Sequence, residues 1–221
     1  MSLKKELRFI TFEGIIGSGK STQSNILYNY LTNNGKKVIL TREIGGSNLA
    51  EKIRNIFINN NIPSISQIFL VLAARYDHLH KVIFPALLSD HIVICDRFID
   101  STLAYHQNNL LNFDQILEFH KNFAKLNYQD LNQNSDRSYN PDLVKKYINC
   151  ALMPDITFLL NIEHSEALFR AQTRDIQNQD NKNQNYYNII DKIQKNFLKL
   201  QKQFKSRIHK IDCDQQNPTN S

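Results

Sequence analysis

Glycine is scarce in this sequence. There are 6 in 221 residues, at positions 14, 17, 19, 35, 45 and 46, and none after that. Glycine is costly in backbone entropy and is kept where a chain must turn tightly or approach something closely, so its confinement to the first quarter marks that stretch as the one with special geometry. Cysteine is scarce too. Cys95, Cys150 and Cys213 are odd in number and far apart, which excludes a disulfide framework and a closed zinc site. No apolar run is long enough to span a membrane, and the charged stretch Met1 to Arg8 lacks the apolar segment of an export signal, so the expected location is the cytoplasm. Acidic residues are outnumbered, 21 against 27 Lys and Arg, giving a net charge of +6. That excess calls for anionic partners. Without a dense basic run interleaved with aromatics, polyphosphate ligands account for it and nucleic acid is not required.

What is present fits one globular domain with a real core: 41% hydrophobic and 22% charged residues. Its organising stretch is Gly14-Ile15-Ile16-Gly17-Ser18-Gly19-Lys20-Ser21-Thr22, which has the pattern G-x-x-x-x-G-K-S. The apolar run Phe9 to Phe12 before it reads as a strand, and Ile26, Leu27, Tyr30 and Leu31 after it share one helical face. Strand, glycine loop and helix in that order form a phosphate loop. Glycines let backbone N–H groups curl around phosphate oxygens, and the helix N-terminus adds its dipole. Lys20 is placed to reach the β- and γ-phosphates of a nucleoside triphosphate, and the Ser21 hydroxyl to hold Mg²⁺.

Further strands are expected over Lys37–Thr41, His91–Cys95, Asp155–Leu160 and Arg207–Ile211. Ser47 reads as the cap of a helix bearing Leu49, Ile53, Ile56 and Phe57, whose Lys52 and Arg54 are assigned, with Lys81 further on, to solvated faces. Ser64 or Ser66 caps the next helix, which runs to about Val82; it is apolar almost all round from Ile65 to Ala74, ends that run at Arg75, and restarts or kinks at Pro85. Helices follow over Ser101–Asn108, Asn112–Lys125 and Asp142–Cys150. Tyr128 to Asn140, rich in Asn, Gln, Asp and Ser, is expected to be an exposed insertion. Ser165 caps a helix carrying Arg170 and Arg174 that gives way at Asp175 to Asn185, and a long helix runs from Tyr186 to Phe204. Strands alternating with helices predict an α/β fold: a five-stranded parallel sheet of the P-loop NTPase type, covered by helices on both faces.

Three arginines narrow the chemistry. Arg42 and Arg97 end strands and Arg75 sits in an apolar helix. In an open α/β sheet the strand ends converge on the ligand crevice. An acceptor that is itself a phosphate needs cationic clamps and no general base, since its oxygen is already ionised, whereas a hydroxyl acceptor calls for a carboxylate. Three arginines therefore favour a nucleotide acceptor.

In order along the chain, Phe12-Glu13-Gly14, Gly19-Lys20-Ser21-Thr22, Thr41-Arg42-Glu43-Ile44-Gly45-Gly46, Leu49-Ala50-Glu51-Lys52-Ile53-Arg54, Ala73-Ala74-Arg75, Asp96-Arg97 and Ser101-Thr102-Leu103-Ala104-Tyr105 resemble the thymidylate kinase family. The resemblance spans Phe9 to about Asp212. It implies phosphoryl transfer from ATP to dTMP, giving dTDP, with Mg²⁺ as cofactor. It also implies that Arg42 and Arg97 hold the dTMP phosphate, that Arg75 hydrogen-bonds the thymine edge, and that Ser101 and Tyr105 line the acceptor site, with Tyr105 against the deoxyribose. Asp96 would act at the Mg²⁺, with Ser21. Arg170 and Arg174 match the start of a lid, here 170–185, that closes on ATP. The family typically forms homodimers.

The sequence departs from the family at several positions. Ile16 stands where an acidic residue is usual, as in the similar loop of deoxynucleoside kinases. Ile44 replaces a proline, His106 a glutamine, and Val71 the aromatic expected to stack on thymine one helical turn before Arg75. Two alternatives follow: a deoxynucleoside kinase with Glu43 as base, or a nucleotide-binding switch, the latter disfavoured by the lack of an Asn-Lys-x-Asp element.

Overall fold

The computed structural model describes residues 7–106, 111–127, 139–178 and 184–213. Five parallel strands lie in the order β2-β3-β1-β4-β5: β1 Phe9–Glu13, β2 Val38–Arg42, β3 Ile92–Asp96, β4 Ile156–Asn161 and β5 Ile208–Asp212. Side chains of β1 alternate between two cores. Phe9 joins the larger one, with Phe98 edge-on to it, while Ile10 and Phe12 pack with Ile94 and Leu160 beneath Leu27, Tyr28 and Leu31 of helix α1, Lys20–Asn33. Both faces of the sheet are thus covered by helices, as parallel strands require.

The larger core lies under α3 Ser64–His78, α4 Phe84–Leu88, α5 Ile99–His106, α6 Phe113–Phe123, α7 Pro141–Asn149, α8 His164–Asn178 and α9 Gln184–Gln203. Helix α2, Asn48–Asn59, packs on α3 through Ala50, Ile53 and Ala74. Strands β2 to β5 begin and end one residue later than their apolar runs, because the ladder continues through polar residues: Arg42 pairs in register with Asp96.

Several helix ends differ from expectation. Ser47 does cap α2, its hydroxyl accepting from the Ala50 N–H at 3.3 Å. Neither Ser64 nor Ser66 caps α3; the cap position is Pro63, which leaves Ser64 as the first helical residue. The helix runs past His78 through a π-helical turn, Leu79–Ile83, into α4. Pro85 has no N–H to continue an α-helical ladder, and the wider turn absorbs the missing bond. Asn112 makes a capping box with Gln115. Ser165 is not the cap of α8: it lies inside the helix and donates to the Glu163 carboxylate, which also accepts from the Glu166 N–H. Helix α8 extends to Asn178, so Asp175 to Asn178 are helical rather than a break, and α9 starts at Gln184. Of the Tyr128 to Asn140 insertion, 128–138 lie outside the described residues. Tyr139 packs against the core and the Asn140 side chain caps α7, so these two are part of the fold.

Candidate active site

The phosphate loop joins β1 to α1 and is pressed between two neighbouring backbones. A Cβ on Gly14 would lie 2.5 Å from the Leu160 carbonyl oxygen at the end of β4, and one on Gly17 would lie 2.1 Å from that of Ala167 in α8. Both also have positive φ, 139° and 77°, so only glycine fits. Ile15 is buried and Ile16 is half-buried against the core. Gly19 is the N-cap of α1, and Lys20 follows with its ammonium folded back, donating to the Ile15 carbonyl at 2.7 Å and to Ser18 Oγ at 3.3 Å. One residue on, Ser21 Oγ donates to Asp96 Oδ2 at 2.5 Å. Thr22 is exposed on the same turn.

Arg97 follows Asp96 with φ 73°, and its N–H donates to the Phe12 carbonyl at 2.9 Å. Its Nη1 donates to the Gly14 carbonyl and to Ser101 Oγ, both at 2.9 Å, and its guanidinium lies 5.2 Å from the Tyr105 ring centre. Ser101 passes the contact on, donating to Glu13 Oε2 at 2.6 Å, while Glu13 Oε1 accepts from the Phe98 N–H at 2.8 Å. Burial, then the charge of Asp100, push the Glu13 carboxyl up to about 8. Asp100 itself is clamped by both terminal nitrogens of Arg207, at 2.6 and 2.8 Å, which fixes the first turn of α5. Ser101 and Tyr105 on this braced helix are therefore brought together with Arg97 in the turn before it.

Across the crevice the exposed Arg42 donates from Nη2 to both oxygens of Glu51, at 3.1 and 3.0 Å. Burial works to raise the Glu51 carboxyl, but the Gly46 N–H at 2.9 Å and then Arg42 hold it below its usual range. Arg54, expected on a solvated face, is half-buried instead and donates to the Ile44 carbonyl at 2.9 Å. Burial, then the charge of Arg42, lower its guanidinium, with Arg97 contributing in the same direction. Arg42 and Arg97 thus both lie near enough to act on Arg54, a concentration of cations that an anion would relieve.

Arg75 is buried. Its Nε donates to Glu43 Oε2 at 2.8 Å, its Nη2 to Thr102 Oγ1 at 2.7 Å, and the guanidinium stacks 4.9 Å from the Phe98 ring. Nη1 has no hydrogen-bond partner among the described residues. Val71, one turn earlier, is buried. Phe69 is 57% exposed and faces Phe119 at 6.5 Å between ring centres, so it does not stand in for an aromatic at position 71. His106 is buried with its ring edge-on to Phe57. Arg170, on α8, pairs with Glu166 at 2.6 Å, and Arg174 lies one turn further along. Among the described residues there is no cluster of three or more His, Cys, Asp or Glu that could hold a metal, and no helix long and apolar enough to cross a membrane.

The model of the family "Thymidylate kinase" matches residues 12–131 and 123–220. Among curated proteins, the thymidylate kinase of Rickettsia africae (strain ESF-5) is 39% identical over 220 residues, 99% of this chain and 95% of that one. That of Rickettsia bellii (strain RML369-C) is 40% identical over 220 residues, 99% and 93%. The chain belongs to the thymidylate kinase family. Among solved structures, the thymidylate kinase of Ehrlichia chaffeensis superposes with a TM-score of 0.62 at 32% identity, covering 93% of this chain and 90% of that one. The expected enzyme class holds: thymidylate kinases are nucleoside monophosphate kinases. Glu13 and Glu51, which stand in the family motifs without an assigned role, brace Arg97 through Ser101 and Arg42 directly, and Arg54, expected on a solvated face, lies near both arginines. For Glu13 no local signal exists, since the Ser101 that bonds it lies 88 residues away.

Proposed function

We propose that this enzyme transfers the γ-phosphoryl group of ATP to dTMP, forming dTDP and ADP. The observation that carries the choice of acceptor is the state of Glu43. Its Oε2 is taken by Arg75 and its Oε1 lies 3.2 Å from His78 Nδ1. Burial works to raise this carboxyl, but Arg75 and His78 more than offset that and hold it below its usual range. A carboxylate so stabilised is a poor proton acceptor, so Glu43 does not serve as the base that a nucleoside hydroxyl would need. A phosphate acceptor needs none, and three arginines stand where two anions must be held together.

In this scheme the backbone from Gly14 to Thr22 cradles the ATP phosphates and Lys20 swings from the loop carbonyls onto the transferring group. Arg42 leaves Glu51 and, with Arg54 and Arg97, holds the acceptor phosphate in line. Ser101 and Tyr105 keep Arg97 in place, while Arg75 reads the base beside Val71. Arg170 and Arg174, at the start of a lid over 170–185, would close on ATP. The touching Ser21 hydroxyl and Asp96 carboxylate are hard oxygen donors that fit Mg²⁺, which usually takes one or two protein oxygens and completes its shell with water and phosphate. Bound there, the ion would neutralise charge developing on the phosphate oxygens. Exposed Phe69 and Phe123, on α3 and α6, support a homodimer formed through these helices.

The test is transfer of label from γ-³²P-ATP with dTMP, thymidine or no acceptor. Labelled dTDP from dTMP alone is expected; labelled dTMP from thymidine would establish the deoxynucleoside kinase instead.

A further inference from the structure

Beneath the two glycines of the β2–α2 loop lies a side chain that touches neither nucleotide site. His78, at the end of α3, is fully buried, with Nδ1 3.2 Å from Glu43 Oε1 and Nε2 2.6 Å from Thr41 Oγ1. Facing an ionised carboxylate, Nδ1 carries the proton and donates. Glu43 in turn receives Nε of Arg75 at 2.8 Å, and Arg75 Nη2 lies 2.7 Å from the same oxygen while donating to Thr102. Every nitrogen of the guanidinium but one is thereby engaged. Nη1 is the exception, buried and without a partner among the described residues. A buried donor without an acceptor is costly, and a base oxygen brought to that atom would remove the cost.

We propose that His78 is a positioning residue for base recognition: by fixing Glu43 it holds Arg75 so that Nη1 alone is left to the base, and so favours a pyrimidine with a keto oxygen over one with an amino group. The same imidazole also ties this unit to the loop that follows Arg42. A Cβ on Gly46 would lie 2.3 Å from His78 Nε2 and 2.5 Å from Thr41 Oγ1, while one on Gly45 would lie 2.5 Å from Glu51 Oε1 and 3.2 Å from Arg42 Nε. The loop is thus seated between the pair that holds the base-reading arginine and the pair that holds a phosphate-clamping one.

This inference rests on dTMP being the acceptor, and the wild-type enzyme controls for that. If the wild type does not phosphorylate dTMP, the proposed function fails; if it does, the variants judge His78 alone. H78N keeps a donor near the Nδ1 position and H78Q moves it toward that of Nε2, so the first retains the bond to Glu43 and the second loses it. Steady-state kinetics with dTMP, dCMP and ATP should show H78N within about twofold of wild type. H78Q should raise the KM for dTMP about tenfold, the order of one lost hydrogen bond to a charged group, and narrow the preference for dTMP over dCMP. Its kcat and its KM for ATP should stay within about threefold, since neither the phosphate loop nor the metal site is touched. An unchanged dTMP to dCMP preference in H78Q, equal losses in both variants, a parallel loss toward ATP, or failure of H78Q to fold would each overturn the proposal and leave His78 a structural residue.

Discussion

Ser21 and Asp96 are 75 residues apart in sequence and in hydrogen-bond contact in the fold, the hydroxyl donating to the carboxylate at 2.5 Å. The contact arises because β1 and β3 are neighbours in the sheet, Phe12 pairing with Asp96, so the strand that feeds the phosphate loop lies beside the strand that ends in the acid. For D96N the expected result is a fall in kcat of roughly 10²-fold at fixed Mg²⁺, with ATP binding in the absence of metal unaltered. Metal-free ATP affinity that fell in step with kcat would make Asp96 a brace of the loop and not a metal ligand.

Arg97 bonds to both the phosphate loop and α5, yet its proposed target is the acceptor phosphate. R97A should raise the KM for dTMP by about 10- to 100-fold, the range for one or two charge-assisted hydrogen bonds, with ATP affinity changed far less. Titration with each nucleotide decides this. Equal losses would mean that its bond to the Gly14 carbonyl is its main role.

At the base site, V71F restores a ring one helical turn from Arg75, on the same face. Stacking is worth on the order of 1 kcal/mol beyond area burial, so the KM for dTMP should drop severalfold and that for ATP stay constant. With Phe69 turned outward to Phe119, that residue does not already fill the space. A higher KM for dTMP in a folded V71F would show that Val71 packs against protein and not against the base.

Buried groups contribute to the pH dependence of stability in opposed directions, as His106 and Glu13 show. Burial, then the charge of Arg75, hold the His106 imidazole down to about 4. As pH falls below about 6.5 the unfolded chain takes up a proton that the folded chain refuses, so stability present above that pH is lost toward pH 4 at about 1.4 kcal/mol per unit. Glu13, raised to about 8, acts the other way: between its ordinary value and 8 the folded state keeps a proton that the unfolded state releases, so stability falls as pH rises. Thermal melts of H106Q against wild type from pH 7 to 4 isolate the first effect. The variant should show the shallower acid limb; parallel curves would mean that His106 protonates freely in the fold.

The five strands and the phosphate loop were legible because each rests on local chemistry: β-branched and aromatic runs for the strands, and glycines at fixed offsets before Lys20 and Ser21; the order of the strands in the sheet was not. Arg42, Arg75 and Arg97 were legible as cations at strand ends or in an apolar helix. Their partners were not. Nothing near Glu43 in sequence says that its carboxylate is consumed by Arg75 and His78, 32 and 35 residues away, and so it could be read as a base. Arg54 looked solvated because helical spacing says which residues adjoin a buried face but not that the loop after β2 supplies the Ile44 carbonyl to it. Ser165 looked like a cap because the residue type is right, while the Glu163 carboxylate, two positions earlier, accepts the helix N–H.

The most direct test of the whole account is ³¹P NMR of the purified enzyme supplied with equimolar dTMP and thymidine and with Mg²⁺-ATP. The expected result is loss of the ATP γ-phosphate signal matched by ADP and by a new diphosphate doublet from dTDP, with thymidine unconsumed. Phosphorylation of thymidine while dTMP persists, or hydrolysis of ATP with neither acceptor changed, would contradict a site built from arginines to join two phosphates.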